Sequence, residues 1–491
     1  MTTTPDRPPP GPPSPAPPPP AGGRSYNGLV LALVAIEIFA VFETAMALAA
    51  IPTFMRVFEA DSAAVGWTGT AYLLVGAVSA ATAGRLGDIF GRRNVLVTVL
   101  AVAAVGSLIS VLASSLWLVI LGRGVQGMAA GALPLSFGLV RELLPERRVP
   151  FVMSLLGGVV PVCTGAGSLI AGVLIDHGGW RNMFVAATAM GVAATLIALL
   201  ALPRTPGIAP RPSVDVVGAV LLAPAVGGVL LGVSQSEDWG WGDPRVILAI
   251  LVGVAVLMVW VWWERRVPEP LVNVTLFRNR KVALATAAAF MVGAGPMGAV
   301  SILAHMVLQL PETAPVGLGL SPTDAGYVLL VVAVVAYAGA IASGRIAQKM
   351  GARPCLVLGT LIYALGIFLW MFLDQSIAGT MFCLALTGLA NGFALTALPI
   401  LVVEAVPVKH TGEATGVNRV TLNTGVACGL AITSVILATS TVEGTHMPTH
   451  GSFVTTVVVF TCLSLVGTVL ALLIRGGRTV ADEPEAAPAK V

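Results

Sequence analysis

The chain has 491 residues, 56% of them hydrophobic and only 10% charged, with a net charge of +3 and a mean hydropathy of +0.91. Soluble domains carry about a quarter of their residues as charges, and apolar runs here repeatedly exceed the ~18 residues that mark a membrane span, so the class is a polytopic membrane protein. A charge of +3 is too small to argue for nucleic acid, and five scattered cysteines, Cys163, Cys355, Cys383, Cys428 and Cys462, form neither a disulfide framework nor a metal site.

The first 20 residues contain 11 prolines and cannot build a core, so residues 1–27 are expected to be a disordered tail. The first apolar run, from Leu29 to Pro52, is too long for a signal peptide and reads as a retained helix. Breaks at Gly, Pro and charge clusters then give fourteen spans: 28–52, 65–84, 94–113, 116–140, 150–175, 182–202, 215–234, 245–263, 282–308, 323–344, 354–373, 376–403, 413–440 and 452–474. With both termini inside, the inner segments hold 22 Lys and Arg and the outer loops 3. This is the asymmetry of cytoplasmic ends in a cell membrane, and an error of parity would scramble it.

Between the second and third spans lies GRLGDIFGRRNVL (84–96), with four charges in thirteen residues. A topology anchor explains Arg85, Arg92 and Arg93 but not Asp88 or the spaced Gly84, Gly87 and Gly91. A weaker copy, GRIAQKMGARPCL (344–356), repeats the first and third glycines at Gly344 and Gly351 and replaces Asp88 by Gln348. A second echo pairs QGMAAGALPL (126–135) with NGFALTALPI (391–400), and the position of Arg123 becomes Gly388. The chain is thus an internal repeat whose first half carries ionisable groups that the second lacks, and repeat-built transporters place their site between the halves. Gly127-x3-Gly131 and Gly388-x3-Gly392 read as close-packing helix faces.

These stretches resemble the signatures of the major facilitator superfamily: GRLGDIFGRRNVL its loop motif, and LGRGVQGMAAG (121–131) its fourth-helix motif built around an Arg and a Gln-Gly. Fourteen spans, with VDVVGAVLL (214–222), WGWGDP (239–244) and PLVNVTLFRNRKV (270–282), resemble the drug:proton antiporter branch. The resemblance implies an all-α fold of two six-helix bundles, 28–203 and 282–474, a linker at 204–281 carrying two extra central helices, and a cytoplasmic tail at 475–491. It implies a monomeric carrier of small organic compounds, coupled to protons in the lipid bilayer, with no cofactor. It also implies that Gly84, Asp88, Gly91, Arg92 and Arg93 form a cytoplasmic gate. Physically, Asp88 could accept hydrogen bonds at a helix N-terminus, and the arginines could pair with Glu142 or Glu146 or with anionic lipid. The branch's fifth-helix motif is altered: Cys163, Gly167, Ser168, Ala171 and Gly172 keep small residues where its proline and two glycines are missing.

Three charges lie deep in spans, where an unpaired one costs at least ~2.5–3.5 kcal/mol. At ~1.5 Å per residue, Glu37 is about 12 Å and Glu43 about 21 Å into a ~30 Å core, and Arg123 about 10 Å from the other face. Glu43 stands nine residues before Pro52, the spacing of an Asp in the branch, so the resemblance makes it the leading proton-coupling residue. Arg123 is read as functional or as a packing residue of its helix. Arg123 and Glu37 are further proton-coupling candidates, and Glu37 also reads as a partly hydrated bundle carboxylate that Arg419 either pairs or escapes by snorkelling to the interface. Gln126, His305, Asn391, Arg419 and Asn423 are candidate cavity-lining residues, His305 also reading as a rim histidine. The function expected is proton-coupled export of amphiphilic compounds by alternating access. An importer or a narrow metabolite or lipid carrier on the same fold is the alternative, a non-transporting receptor a remote one. A channel fits two unequal halves poorly, and an enzyme would need a clustered nucleophile or metal set that the sequence lacks.

Overall fold

A computed structural model describes residues 26–474, apart from 47–49, 51–52, 55–56, 61, 206, 208–214, 241, 269, 271–273, 321, 408–409, 439 and 441–447. Both tails fall outside the described residues. Fourteen helical segments follow in chain order: α1 (Tyr26–Met46), α2 (Ser62–Phe90), α3 (Arg92–Val111), α4 (Leu116–Leu143), α5 (Val149–Gly178), α6 (Trp180–Ala201), α7 (Val216–Ser234), α8 (Pro244–Glu264), α9 (Arg280–Gln309), α10 (Pro322–Met350), α11 (Ala352–Leu373), α12 (Ile377–Val403), α13 (Thr411–Ala438) and α14 (His450–Leu473). Twelve are long and apolar enough to cross a membrane. The other two, α1 and α7, are apolar but shorter over the residues searched, 26–42 and 217–229. The expected fourteen spans are therefore twelve long ones and two shorter apolar helices.

Two spans are not plain α-helices. In α4 the run Gly127–Gly131 tightens to a 3-10 turn, and in α9 Gly293–Met297 widens to a π segment around Pro296. A proline has no N–H to donate and its ring crowds the preceding turn, so the ladder opens there. α5 also keeps an internal proline, Pro161. The missing motif proline therefore does not leave this helix without a bending point.

The stretch Gly84–Phe90 is not a loop. It is the end of α2, and the turn shrinks to Gly91 alone, at φ 87°. Charge clustering marked a boundary six residues early, because Ala83 and Ile89 remain buried and the Asp88–Arg92 pair carries the charge across the turn. The repeat does the same: α10 ends at Met350, Gly351 has φ 81°, and α11 begins at Ala352. Arg93 donates to Leu199 O of α6 at 2.5 Å, and its counterpart Arg353 donates to Leu472 O of α14 at 2.7 Å. Both glycines hold backbone that a side chain resists, at ~1–3 kcal/mol. A Cβ on Gly91 would also meet Thr205 O, while Gly351 has open space. Gly91→Ala should accordingly lower the thermal midpoint clearly more than Gly351→Ala does. Equal losses would mean that the Thr205 contact carries no weight.

Small residues set the packing. A Cβ on Gly131 would lie 2.7 Å from Ala83 Cβ of α2, and one on Gly388 2.7 Å from Val332 O of α10, so the two Gly-x3-Gly faces do pack closely. The halves meet along two seams. On one, α13 approaches α2 through Gly412, whose Cβ would be 2.8 Å from Gly84 Cα, and through Gly416 against Ala80. On the other, Gly158 of α5 faces Ala340 and Tyr337 of α10, Gly344 faces Phe151 and Ser154, and Gly165 faces Ala333. The α7–α8 hairpin closes through Gly228 and Gly253 and leans Leu222 and Trp260 on Ala81, Val417 and Val420, over the α2–α13 seam. Asp215 begins α7 by accepting from Gly218 N at 2.8 Å and from Trp263 Nε1 at 3.1 Å. The outer face of α8 is bare, with Leu248, Leu251 and Met258 exposed. We call the end bearing the α2–α3, α4–α5 and α10–α11 connections the basic end.

Candidate functional site

At the basic end Asp88 is 3% exposed. Its Oδ1 accepts both Arg92 Nε (3.0 Å) and Arg92 Nη2 (2.8 Å). Arg92 Nη1 goes on to Gly138 O at 2.8 Å and to Glu142 at 3.3 Å. Gly87 and Gly138 are the space it occupies: a Cβ on Gly138 would sit 2.6 Å from its Nε. The expected role of Asp88 as acceptor from a helix N-terminus gives way to this arginine clamp, because a guanidinium one turn away offers two aligned donors. The second half is nonetheless adjacent. Gly84 touches the first turn of α13 at Gly412, Arg141 Nη1 donates to Thr411 Oγ1 at 2.7 Å, and Asp88 lies within charge reach of Glu413 and His410. On the other seam Gln348, the counterpart of Asp88, donates to Arg147 O at 2.9 Å. Arg93 is held by its own half, with its N–H on Thr205 Oγ1 at 3.1 Å.

Arg123, 2% exposed, lies inside the first half. Its Nη1 donates to Gln126 Oε1, Gln126 Nε2 donates to Ser107 Oγ at 2.9 Å, and its guanidinium stands 4.5 Å from the ring centre of Tyr72. The Arg and the Gln of the fourth-helix motif thus hold each other one turn apart, and Gln126 faces α3, not a cavity.

The third cluster joins the halves. Glu37 of α1 is 1% exposed and accepts from Ser136 Oγ of α4 at 2.7 Å. Arg419 of α13 lies within electrostatic range of Glu37 and of Tyr72, without ion-pair contact. Arg419 stays half-buried at mid-seam, between the halves. It borders a cleft of about 20 Å³, room for one water, lined also by Phe137, Gly157, Leu395, Thr415 and Asn418 from α4, α5, α12 and α13. Of the other candidate cavity residues, Asn391 is half-buried with its Oδ1 lacking a partner, Asn423 is exposed, and His305 is exposed with its ring on Ser301 O of its own helix. Glu43 falls in α1, but its side chain lies outside the described residues. Sequence reasoning missed Ser107, Tyr72, Ser136 and Asn418. A hydroxyl inside an apolar run carries no signal of its own, because it can also bond its own helix backbone.

An all-α membrane protein made of two related halves, with a clamp at one end of their seam and buried charges of both halves beside it, has the build of a secondary transporter. The family model of the Major Facilitator Superfamily matches residues 33–317 and 282–490, and the chain belongs to that family. It is 28% identical over 419 residues to the tetracenomycin C resistance and export protein of Streptomyces glaucescens, covering 85% of this chain and 76% of that one. It is 26% identical over 414 residues to the multidrug resistance protein Stp of Mycobacterium tuberculosis, covering 84% and 76%. Two solved structures share the fold at 15% identity. The human organic anion transporter MFSD10 has a TM-score of 0.64 over 91% of this chain and 99% of its own. The proton:xylose symporter XylE has 0.63 over 93% and 97%.

Proposed function

We propose that this chain exports small amphiphilic organic compounds in exchange for protons, as a monomer in the cell membrane, with the basic end and both termini in the cytoplasm. The observation that carries the reading is the meeting of Glu37, Ser136 and Arg419 across the seam. A carboxylate there lies within electrostatic range of a cation from the opposite half. When a proton neutralises Glu37, that attraction is lost, and the balance between the closed and open seam shifts by the difference in binding. Substrate and proton then compete for one state, which is the requirement for exchange. Glu43, one to two turns further along α1, stands as the second proton carrier. The names of the exporting relatives support an organic substrate and the outward direction, and no bound cofactor is needed when a gradient drives the cycle.

In this reading the Asp88–Arg92 clamp and the Gly84–Gly412 contact hold the cytoplasmic end shut and release during transport. The topology has a direct check. A single cysteine at Asp238 should react with an impermeant maleimide added outside intact cells, and one at Arg265 should not. Outside labelling at Arg265 would overturn the orientation. Flux in proteoliposomes under pH gradients of either sign tests the exchange itself. Substrate must accumulate against its gradient on the side from which protons leave, and accumulation on the opposite side would make the protein an importer.

A further inference from the structure

A second cavity lies apart from the Glu37 cluster, at the basic end of the α5–α10 seam, between α1, α5 and α10. It has a volume of 660 Å³ and is open at the surface of the fold. Its mouth is polar, with Asn27, Arg148, Arg345 and Gln348, and its walls are apolar, with Val34, Leu155 and Tyr337 among them. Arg148 reaches only Asn27 Oδ1, at 3.3 Å, and the face of Tyr26. Among the described residues neither guanidinium meets a carboxylate and no acid lines the cavity.

The depth is informative. From Arg148 to Leu155 along α5 is about 10 Å, and from Gln348 to Tyr337 along α10 about 16 Å, at ~1.5 Å per residue. One leaflet of a bilayer core is about 15 Å. The cavity therefore spans one leaflet, with two cations at headgroup level and an apolar slot beneath them. Leu31, 71% exposed on α1, marks the open side toward lipid. Its walls come from both halves, so it is complete only while α5 and α10 touch.

We propose that this cavity binds an anionic phospholipid of the leaflet on the basic side. The phosphate lies between Arg148 and Arg345, and one acyl chain runs down past Val34, Leu155 and Tyr337. The site uses neither Glu37 nor the gate clamp, so it stands or falls independently of the transport reading. A zwitterionic lipid brings its own cation to a mouth that already holds two, and a soluble anion would leave the apolar slot unfilled.

Native mass spectrometry of the full chain in detergent, with equal amounts of dioleoyl phosphatidylglycerol and dioleoyl phosphatidylcholine, tests this. Phosphatidylglycerol should be retained on the order of tenfold better, the scale expected for two arginines facing one anionic headgroup. Arg148→Gln with Arg345→Gln should bring the two lipids level, and Arg148→Lys with Arg345→Lys should keep the preference. Val34→Trp, which fills the slot and spares both charges, should lower phosphatidylglycerol retention, and it keeps the test alive should the glutamine pair fail to fold. Equal retention by the unaltered protein, or a preference that survives the glutamine pair, overturns the site. Glycerol phosphate competing as well as the lipid does would make it a soluble-anion site instead, and the proposal would fall.

Discussion

Glu37→Gln should leave a folded protein that no longer couples substrate movement to a pH gradient, with driven flux down about 100-fold, the upper range of a coupling energy between sites. Glutamine keeps the acceptor for Ser136 Oγ, so the α1–α4 hydrogen bond survives while the titrating charge is gone. The stability loss should fall below the ~3–5 kcal/mol of a broken, fully buried ion pair, because Glu37 and Arg419 are not in ion-pair contact and Arg419 borders the cleft. Downhill exchange of substrate for substrate should continue. The pH dependence of binding gives the sign. In an exchanger a proton on the carboxylate opposes substrate binding, so affinity falls as the pH is lowered, and Glu37→Gln flattens that dependence. Affinity that rises at low pH and loses the rise in the variant would move the protein to the importer class. Full proton-driven flux in Glu37→Gln, together with its loss in Glu43→Gln, would shift the coupling site one or two turns along α1.

The second large effect concerns the gate. A side chain at position 84 has no room, because its Cβ would fall on the backbone of Gly412 and Glu413. Gly84→Val should pry α2 from α13 at the basic end and cut turnover at least about tenfold, while substrate affinity measured from the opposite side changes much less. Asp88→Asn should act in the same direction. It removes the charge that takes two hydrogen bonds from Arg92, each to an ionised group and worth ~1.5–3 kcal/mol, and leaves that buried guanidinium to Gly138 O and Glu142. The amide keeps an acceptor there, so part of that energy survives, and a net shift of ~1.5–3 kcal/mol in the balance of two states is a ten- to hundredfold change in population. If either variant weakens binding and leaves turnover intact, the clamp is part of the substrate site and not a gate.

What was legible in the sequence follows from solvent. Apolar length and basic asymmetry located the helices, since a bilayer core demands both regardless of what each helix packs against. Spaced glycines were legible too. Gly91 and Gly351 recur because the same backbone conformation is needed twice, and Gly131 and Gly388 because two helices approach closely in each half. The early boundary at 84 shows the limit of that reading: a charge cluster looks like a loop until Arg92 is seen to pair with Asp88 one turn away.

Residue chemistry alone determined that this chain spans a membrane many times, is built from a repeat and carries unequal charge in its two halves. Which charges meet was decided only by tertiary structure. Glu37 and Arg419 are 382 positions apart and on different halves, so neither spacing nor periodicity links them, and only the packing of α1, α4 and α13 does. Packing of α4 on α3 gave Gln126 to Ser107, away from the cleft, and packing elsewhere left His305 and Asn423 exposed, because the face a span presents inward depends on its rotation about its own axis. In helices as uniformly apolar as these, no amphipathic stripe records that rotation, and contacts between the two halves set it.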